Sequence, residues 1–327
     1  MMNTKDRRNN DYDASQIEVL EGLEPVRKRP GMYIGGVDEN SLHHLVNEIF
    51  DNAMDEAVAG HASKIEIYLD KDNVITISDN GRGIPIDNHP KFNNKSALEV
   101  ILTTLHSGGK FSNDSYKTAG GLHGVGISVV NALSDDFSVS VKRNKKIWKQ
   151  TYSKGIAKTK LLSEDIGDNA SGTIISFHPD PEIFGDHIGF KPKRLYDFAK
   201  AKAYLFKNIE IHWKCNESLI SNLSIPCFEV IKFPNGIKDY LSQNINESNL
   251  ITKDYFCGDS VFDDYSKIEW AVAWHDDDGF IDSYCNTIET PLGGAHEQGF
   301  KSAILKALKT YGELTNNKKA TQQNHYR

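Results

Sequence analysis

The chain has 327 residues, 39% hydrophobic and 25% charged, which leaves room for roughly two domains with cores of their own. A net charge of −7 gives no global electrostatic drive toward nucleic acid, and no apolar run reaches membrane-span length. Cys215, Cys227, Cys257 and Cys285 lie far apart without a CxxC pair, and the N-terminus lacks the apolar core of a signal peptide. Neither a zinc site nor a disulfide framework is therefore expected, and a reducing cytoplasm is the default compartment.

In chain order, the residues through about Asp13 are polar and read as an arm. The stretch from Ile17 to Ile34 is apolar-periodic and carries a basic cluster, Arg27, Lys28 and Arg29, broken by Pro30-Gly31. That cluster reads either as a solvated turn or as an anion- or DNA-facing patch. A helix is predicted from Ser41, as N-cap, to a stop at Gly60. Its apolar stripe is Leu42, Leu45, Val46, Ile49, Phe50, Ala53, Met54, Ala57 and Val58. A second stripe, His44, Glu48, Asn52 and Asp55, is polar, as one wall of a ligand-binding cleft would be.

Lys64–Leu69 and Val74–Asp79 are predicted to form a hairpin, ending in Asp79-Asn80-Gly81-Arg82-Gly83-Ile84-Pro85. Asp79 shares parity with Ile75 and Ile77, so its carboxylate points inward and needs a partner. The amino group of a base would serve, with Gly81 and Gly83 letting backbone approach a flat ring. A helix is predicted over Lys95–Leu105, followed by a long small-and-polar stretch, His106 to Gly126. Its end, Gly120-Gly121-Leu122-His123-Gly124-Val125-Gly126, opens an apolar helix, Ile127–Leu133. Glycine-rich backbone opening a helix suits phosphate oxygens, although this is neither a Walker A loop nor a GxGxxG strand exit. Lys110 and Lys117 add positive charge there. Strands follow at 137–143, 147–152 and 172–177, then a helix over Lys193–Phe206 and a strand over Ile209–Trp213. Antiparallel hairpins with helices on one side make an α+β layered domain. Near Cys227 the pattern restarts. Ile268–Trp274 and Phe280–Asn286 are expected to form a hairpin around Asp276-Asp277-Asp278-Gly279, which lacks the later ligands of an EF-hand. Gly293-Gly294-Ala295-His296-Glu297 opens a last helix with Phe300, Ala303, Ile304, Ala307, Leu308 and Tyr311 on its apolar face.

Taken together, RKRPGMYIGG, the Glu48-x-x-x-Asn52 helix, DNGRGIP, HSGGKF and GGLHGVGISVVNALS resemble the ATPase region of type IIA topoisomerase B subunits. These belong to the gyrase, chaperone, histidine kinase and MutL ATPase superfamily. The resemblance runs from about Tyr12 to Tyr311. SYCNTIETPLGGAHEQGF resembles topoisomerase IV more than gyrase. The implied fold is a Bergerat-type α+β sandwich with an antiparallel-rich mixed sheet, followed by an incomplete α/β transducer domain. The expected division is an arm over 1–16, an ATP-binding domain over 17–226 and the transducer domain over 227–327.

Carried over position by position, the resemblance implies that Glu48 is the general base acting on water, with His44 orienting it, and that Asn52 holds Mg²⁺. Asp79 accepts from the adenine amino group with Thr173 assisting. Glu56, Arg82, Gly83, Ile84, Pro85 and Arg143 surround the adenine side, where inhibitors such as aminocoumarins also bind. Lys110, Tyr116, Gly121, Leu122, His123, Gly124, Val125 and Gly126 surround the triphosphate. Tyr12 and Ile17 lie in an arm that reaches across a homodimer. Further implied partners are the topoisomerase IV A subunit, which completes the enzyme, and DNA, bound through the full assembly; no membrane is implied. The chain ends before the Gln-Thr-Lys loop of the family's transducer domain, so weak hydrolysis is expected. A nucleotide-binding and dimerisation module without useful catalysis is the competing reading, with a gyrase B fragment as the alternative within the family.

Overall fold

The computed structural model describes residues 19–92, 94–107, 126–263, 266–276, 278–285 and 288–317. The chain divides into two compact units between Phe233 and Pro234. The first is built on one large sheet, whose strands are β1 (Lys64–Leu69), β2 (Ile75–Asp79), β3 (Ser134–Arg143), β4 (Lys146–Ser153), β5 (Ile156–Ala157), β6 (Leu162–Asp165), β7 (Gly172–Pro179), β8 (Glu210–Cys215) and β9 (Phe228–Ile231). Their order is β5-β4-β3-β7-β2-β1-β8-β9, with β6 also on β4. β1 and β8 run parallel, while the other pairs within the sheet are antiparallel. The pattern break expected near Cys227 thus falls inside the first unit, because β9 extends this sheet from β8.

The helices of this unit are α1 (Glu24–Lys28), α2 (Gly31–Ile34), α3 (Glu39–Val58), α4 (Ala97–Thr103), α5 (Gly126–Ala132), α6 (Pro181–Phe184) and α7 (Pro192–Leu205). α3 starts two residues before the expected Ser41. Asp38 is its cap, accepting the Ser41 amide at 2.9 Å, since extended backbone at Asp38 turns its side chain over the first turn. Gly60, at φ +79°, ends it as expected. The apolar stripe from Leu42 to Ala57 is buried against the alternating inward residues of the sheet, Ile65, Ile67, Ile75, Ile77, Val139, Ile175 and Trp213 among them. Each large aliphatic or aromatic side chain so buried contributes roughly 1.5–3 kcal/mol.

Arg27 resolves the open reading of the basic cluster for one of its three members. It turns inward, donating from Nη1 to the Ala132 carbonyl at 2.8 Å and from Nη2 to Asp180 Oδ2 at 2.6 Å. Asp180 is 1% exposed, so its charge needs that partner. The Asp180 backbone N–H also donates to the Leu133 carbonyl at 2.9 Å, and the pair brackets the C-terminal end of α5. A cation on the last carbonyls also complements the helix dipole.

The second unit contains α8 (Ile237–Asn244), β10 (Phe256–Val261), β11 (Lys267–Val272), β12 (Tyr284–Cys285), β13 (Ile288–Glu289) and α9 (Ala295–Leu314). The expected pairing of 268–274 with 280–286 does not occur among the described residues. β11 pairs instead with the preceding β10, placing Trp270 opposite Gly258. The reason is steric: a Cβ at Gly258 would lie 2.5 Å from the Trp270 ring, so glycine makes room for the indole. Gly258, Asp259 and Ser260 also blur the alternation by which β10 would have been recognised. The last helix forms as predicted and brings Phe300 within 5.9 Å of the Trp270 ring centre.

Arg27→Met removes charge-assisted hydrogen bonds and should lower the unfolding free energy by about 2–3 kcal/mol in a urea titration. Lys154→Met loses a longer contact to the same Asp180, at 3.6 Å, and should cost less.

Candidate active site

Three pieces of the first unit meet here: the polar face of α3, the turn after β2, and the start of β7. α3 places His44 and Glu48 one turn apart, so His44 Nε2 lies 3.2 Å from Glu48 Oε1. The Glu48 contact raises the His44 pKa above its ordinary value, against the opposing effect of burial. One turn on, Asn52 Nδ2 donates to the Glu48 carbonyl at 2.8 Å, which orients its side-chain amide beside the Glu48 carboxylate on the same face.

Gly126, the first residue of α5, sits directly against this pair. A Cβ there would lie 1.9 Å from Glu48 Oε2, so the backbone approaches the carboxylate as only glycine permits. This is the one member of the expected phosphate loop inside the described residues. Lys110, Tyr116, Gly121, Leu122, His123, Gly124 and Val125, together with Tyr12 and Ile17, lie outside them.

At the other end of the wall stands Asp79, last residue of β2 and opposite Ile65 of β1. Oδ1 accepts from the Gly81 amide at 2.8 Å. Burial pushes its carboxyl up to about 6, the Gly81 amide pulls it back, and the Glu56 charge raises it further. Gly172 and Gly83 shape the space around it. A Cβ on Gly172 would strike the Asp79 carbonyl at 2.0 Å, and one on Gly83, at φ +74°, would meet the Lys142 carbonyl at 3.0 Å. Thr173, buried next to Gly172, accepts the Ile84 amide on Oγ1 at 3.3 Å. Arg143 Nη1 holds the Gly83 carbonyl at 2.9 Å. Ile84 is half-buried and Pro85 exposed. The turn is thereby fixed from β7 and from the end of β3.

Glu56 and Arg82 close the rim. Arg82 Nη2 donates to Oε1 at 2.6 Å, and its Nε and backbone N–H both reach Oε2, at 3.1 and 3.0 Å. Arg82 and Arg143, with Asn144, Lys145, Asn169, Ala170 and Ser171, line an open cleft of about 550 Å³ that is rich in positive charge.

The structure thus brings His44, Glu48, Asn52 and Gly126 to one end, and Glu56, Asp79, Arg82, Gly83, Ile84, Arg143 and Thr173 to the other. Gly172 was not singled out in the sequence. Its only signal was a glycine opening a strand. Lys202 was also missed: its Nζ lies 2.8 Å from Asp51 Oδ1 and supplies a cation behind the acidic row of α3. Nothing in the spacing links a residue of α7 to one of α3. The donor set fits a nucleotide with a divalent ion, having a half-buried acceptor for an amine at one end and a carboxylate, an amide side chain and the Gly126 backbone at the other.

Comparison with known proteins agrees. Residues 37–183 match the family of histidine kinase-, DNA gyrase B- and HSP90-like ATPases, and residues 236–326 match the DNA gyrase B family. The B subunit of DNA topoisomerase 4 from Rickettsia bellii is 59% identical over 95% of this chain and 47% of its own length. The chain therefore spans about half the length of the curated relatives it matches. Among solved structures, the 43K ATPase domain of Thermus thermophilus gyrase B in complex with an aminocoumarin superposes with a TM-score of 0.76 at 33% identity, covering 93% of this chain and 75% of that one. The topoisomerase IV ATP-binding domain of Francisella tularensis, in complex with a small-molecule inhibitor, gives 0.73 at 36%, covering 92% and 76%.

Gly172→Ala would drive a methyl group into the Asp79 carbonyl from a backbone conformation strained for alanine. A fall in stability of more than about 2 kcal/mol, seen as a lower Tm, is expected.

Proposed function

Because the chain belongs to the ATPase region of the type IIA topoisomerase B subunits, we propose that it binds ATP and hydrolyses it between Asp79 and Glu48. The observation that carries this reading is the placement of the half-buried Asp79 carboxylate at the end of β2, held by the Gly81 amide with the β7 backbone packed against its carbonyl. An adenine amino group would supply a further hydrogen bond that offsets the cost of its charge, while Gly81 and Gly83 let the turn pack closely against Glu56 and the ends of β3 and β7. Arg82 and Arg143 flank that end. The same rim is the proposed site for inhibitors of the aminocoumarin type, the kind present in the gyrase B neighbour's complex.

At the far end, Glu48 accepts the proton of the attacking water, and His44, 3.2 Å away, orients the carboxylate. Asn52, through its side-chain oxygen, would hold Mg²⁺, which neutralises phosphate charge when bound. Gly126, with Lys110, Tyr116 and the backbone from Gly121 to Val125, takes the triphosphate. In the whole protein this module would drive closure of a homodimer through the arm carrying Tyr12 and Ile17. That closure would serve DNA strand passage in the cytoplasm, together with the topoisomerase IV A subunit.

The pH dependence has a definite sign. A carboxyl raised to about 6 favours the protonated form in the empty fold, so its contribution to stability is present at low pH and lost as pH rises through 6. Nucleotide needs the carboxylate, so affinity runs the other way. Titration with a fluorescent ATP analogue should show affinity rising between about pH 5 and 7 in wild type, with less pH dependence in Asp79→Asn. Asp79→Ala should weaken binding roughly 5- to 150-fold at pH 7. Undiminished binding in that variant would sink the assignment. Glu48→Ala should bind the analogue normally and lose about 10²- to 10⁴-fold in whatever hydrolysis the wild type shows.

A further inference from the structure

The four cysteines are far apart in sequence, but the fold brings two of them together. β8 and β9 pair antiparallel with Lys214 opposite Phe228, and one step further the Cys215 amide donates to the Cys227 carbonyl at 2.9 Å. Residues directly opposite one another in an antiparallel pair project from the same face. Hydrogen-bonded opposites have Cα atoms about 5.5 Å apart, inside the range of roughly 4.4–6.8 Å that disulfides span. The two thiols differ in setting. Cys215 is buried and Cys227 is exposed on the first residue beside an edge strand. Cys257 and Cys285 lie in the other unit, on β10 and β12.

We propose that Cys215 and Cys227 are a modification site, a cross-strand thiol pair that a low-molecular-weight disulfide oxidises to an intramolecular disulfide. Cys227, the accessible partner, attacks one sulfur of the small disulfide as its thiolate, forming a mixed disulfide and releasing one small thiolate. Cys215 then gives up its proton to solvent and attacks the Cys227 sulfur, expelling the second small thiolate. Two protein thiols are oxidised, one small disulfide is reduced to two thiols, and the bond closes a ring from 215 to 227. Burial pushes the Cys215 thiol up to about 11, with the nearby Cys227 adding to the rise, which fits Cys215 as the second attacker.

The spacing also sets the character of the bond. Cβ atoms at hydrogen-bonded cross-strand positions stand farther apart than the roughly 3.5–4.5 Å a relaxed disulfide prefers, so β9 must shift slightly to close it. Its place at the sheet edge permits that shift. The resulting bond is of the strained, readily reduced kind rather than a permanent staple. The anchors around it hold the loop in place: Trp213 Nε1 donates to the Pro226 carbonyl at 2.9 Å, and the Asn216 amide to the Leu69 carbonyl at 2.9 Å.

The test uses the native full chain, equilibrated with glutathione and glutathione disulfide at graded ratios, then alkylated and mapped by peptide mass spectrometry. A peptide pair linked through Cys215 and Cys227, lighter by two hydrogens and restored by reductant, is the expected product. Cys215→Ser should stop at a glutathione adduct on Cys227, and Cys227→Ser should leave Cys215 unmodified. If wild-type Cys227 also accumulates only the adduct at ratios where Cys257 is modified, or if Cys215 links elsewhere, the proposal is wrong.

Discussion

A carboxylate withdrawn from water at the end of a buried strand is the constraint on which this site rests. Asp79 could have been solvated had β2 ended one residue earlier or had the turn opened outward. Instead Arg143 and Thr173 hold the following turn from two other strands, and Gly172 lets β7 come up against the Asp79 carbonyl. The acid keeps the Gly81 amide on Oδ1 and a backbone hydrogen bond from Thr173, yet burial still pushes it up to about 6, a costly arrangement for an empty protein. Strain of this kind is concentrated where a ligand relieves it.

The other end of the wall obeys a different rule. Here close approach dominates, through Gly126 against the Glu48 carboxylate and the bracket of Arg27 and Asp180 at the opposite end of α5. A short, fully packed helix held at both termini gives the acid a rigid neighbour. His44 and Asn52 then come from α3 itself, so the reacting face depends on elements rather than on loops. The two ends share α3 and the sheet beneath it, which keeps their separation fixed by the core.

Much of this was legible in the residues. The 3.6-residue period of α3 separated most of its apolar face from His44, Glu48 and Asn52, although Asp55, expected in the polar stripe, is buried, and strand parity aimed Asp79 inward. The motifs from DNGRGIP to GGLHGVG carried the family resemblance that the comparisons bear out. What could not be read were contacts between residues far apart in sequence. Arg27 stood in a basic cluster that read either as a solvated turn or as an anion- or DNA-facing patch, nothing marked Lys202, and Cys215 and Cys227 lay apart without a CxxC pair. Ser41 was mistaken for a cap because Asp38 performs that role from three residues upstream. The hairpin at 268–286 failed because β10, interrupted by glycine and polar residues, carried too weak a pattern to compete on paper with the stronger segment after it. Periodicity reports which face is buried; it does not report the partner.

The central claim is that Asp79 reads an adenine amino group. Calorimetric titration of the chain with a non-hydrolysable ATP analogue and Mg²⁺, beside the matching inosine analogue, isolates that one group. Inosine carries a carbonyl where adenine carries the amine, and so presents an acceptor to an acceptor. Binding of the adenine compound is predicted, with a loss of about 10²-fold or more for the inosine compound. Equal affinity for the two would contradict the claim, and would mean that Asp79 is desolvated for some other purpose.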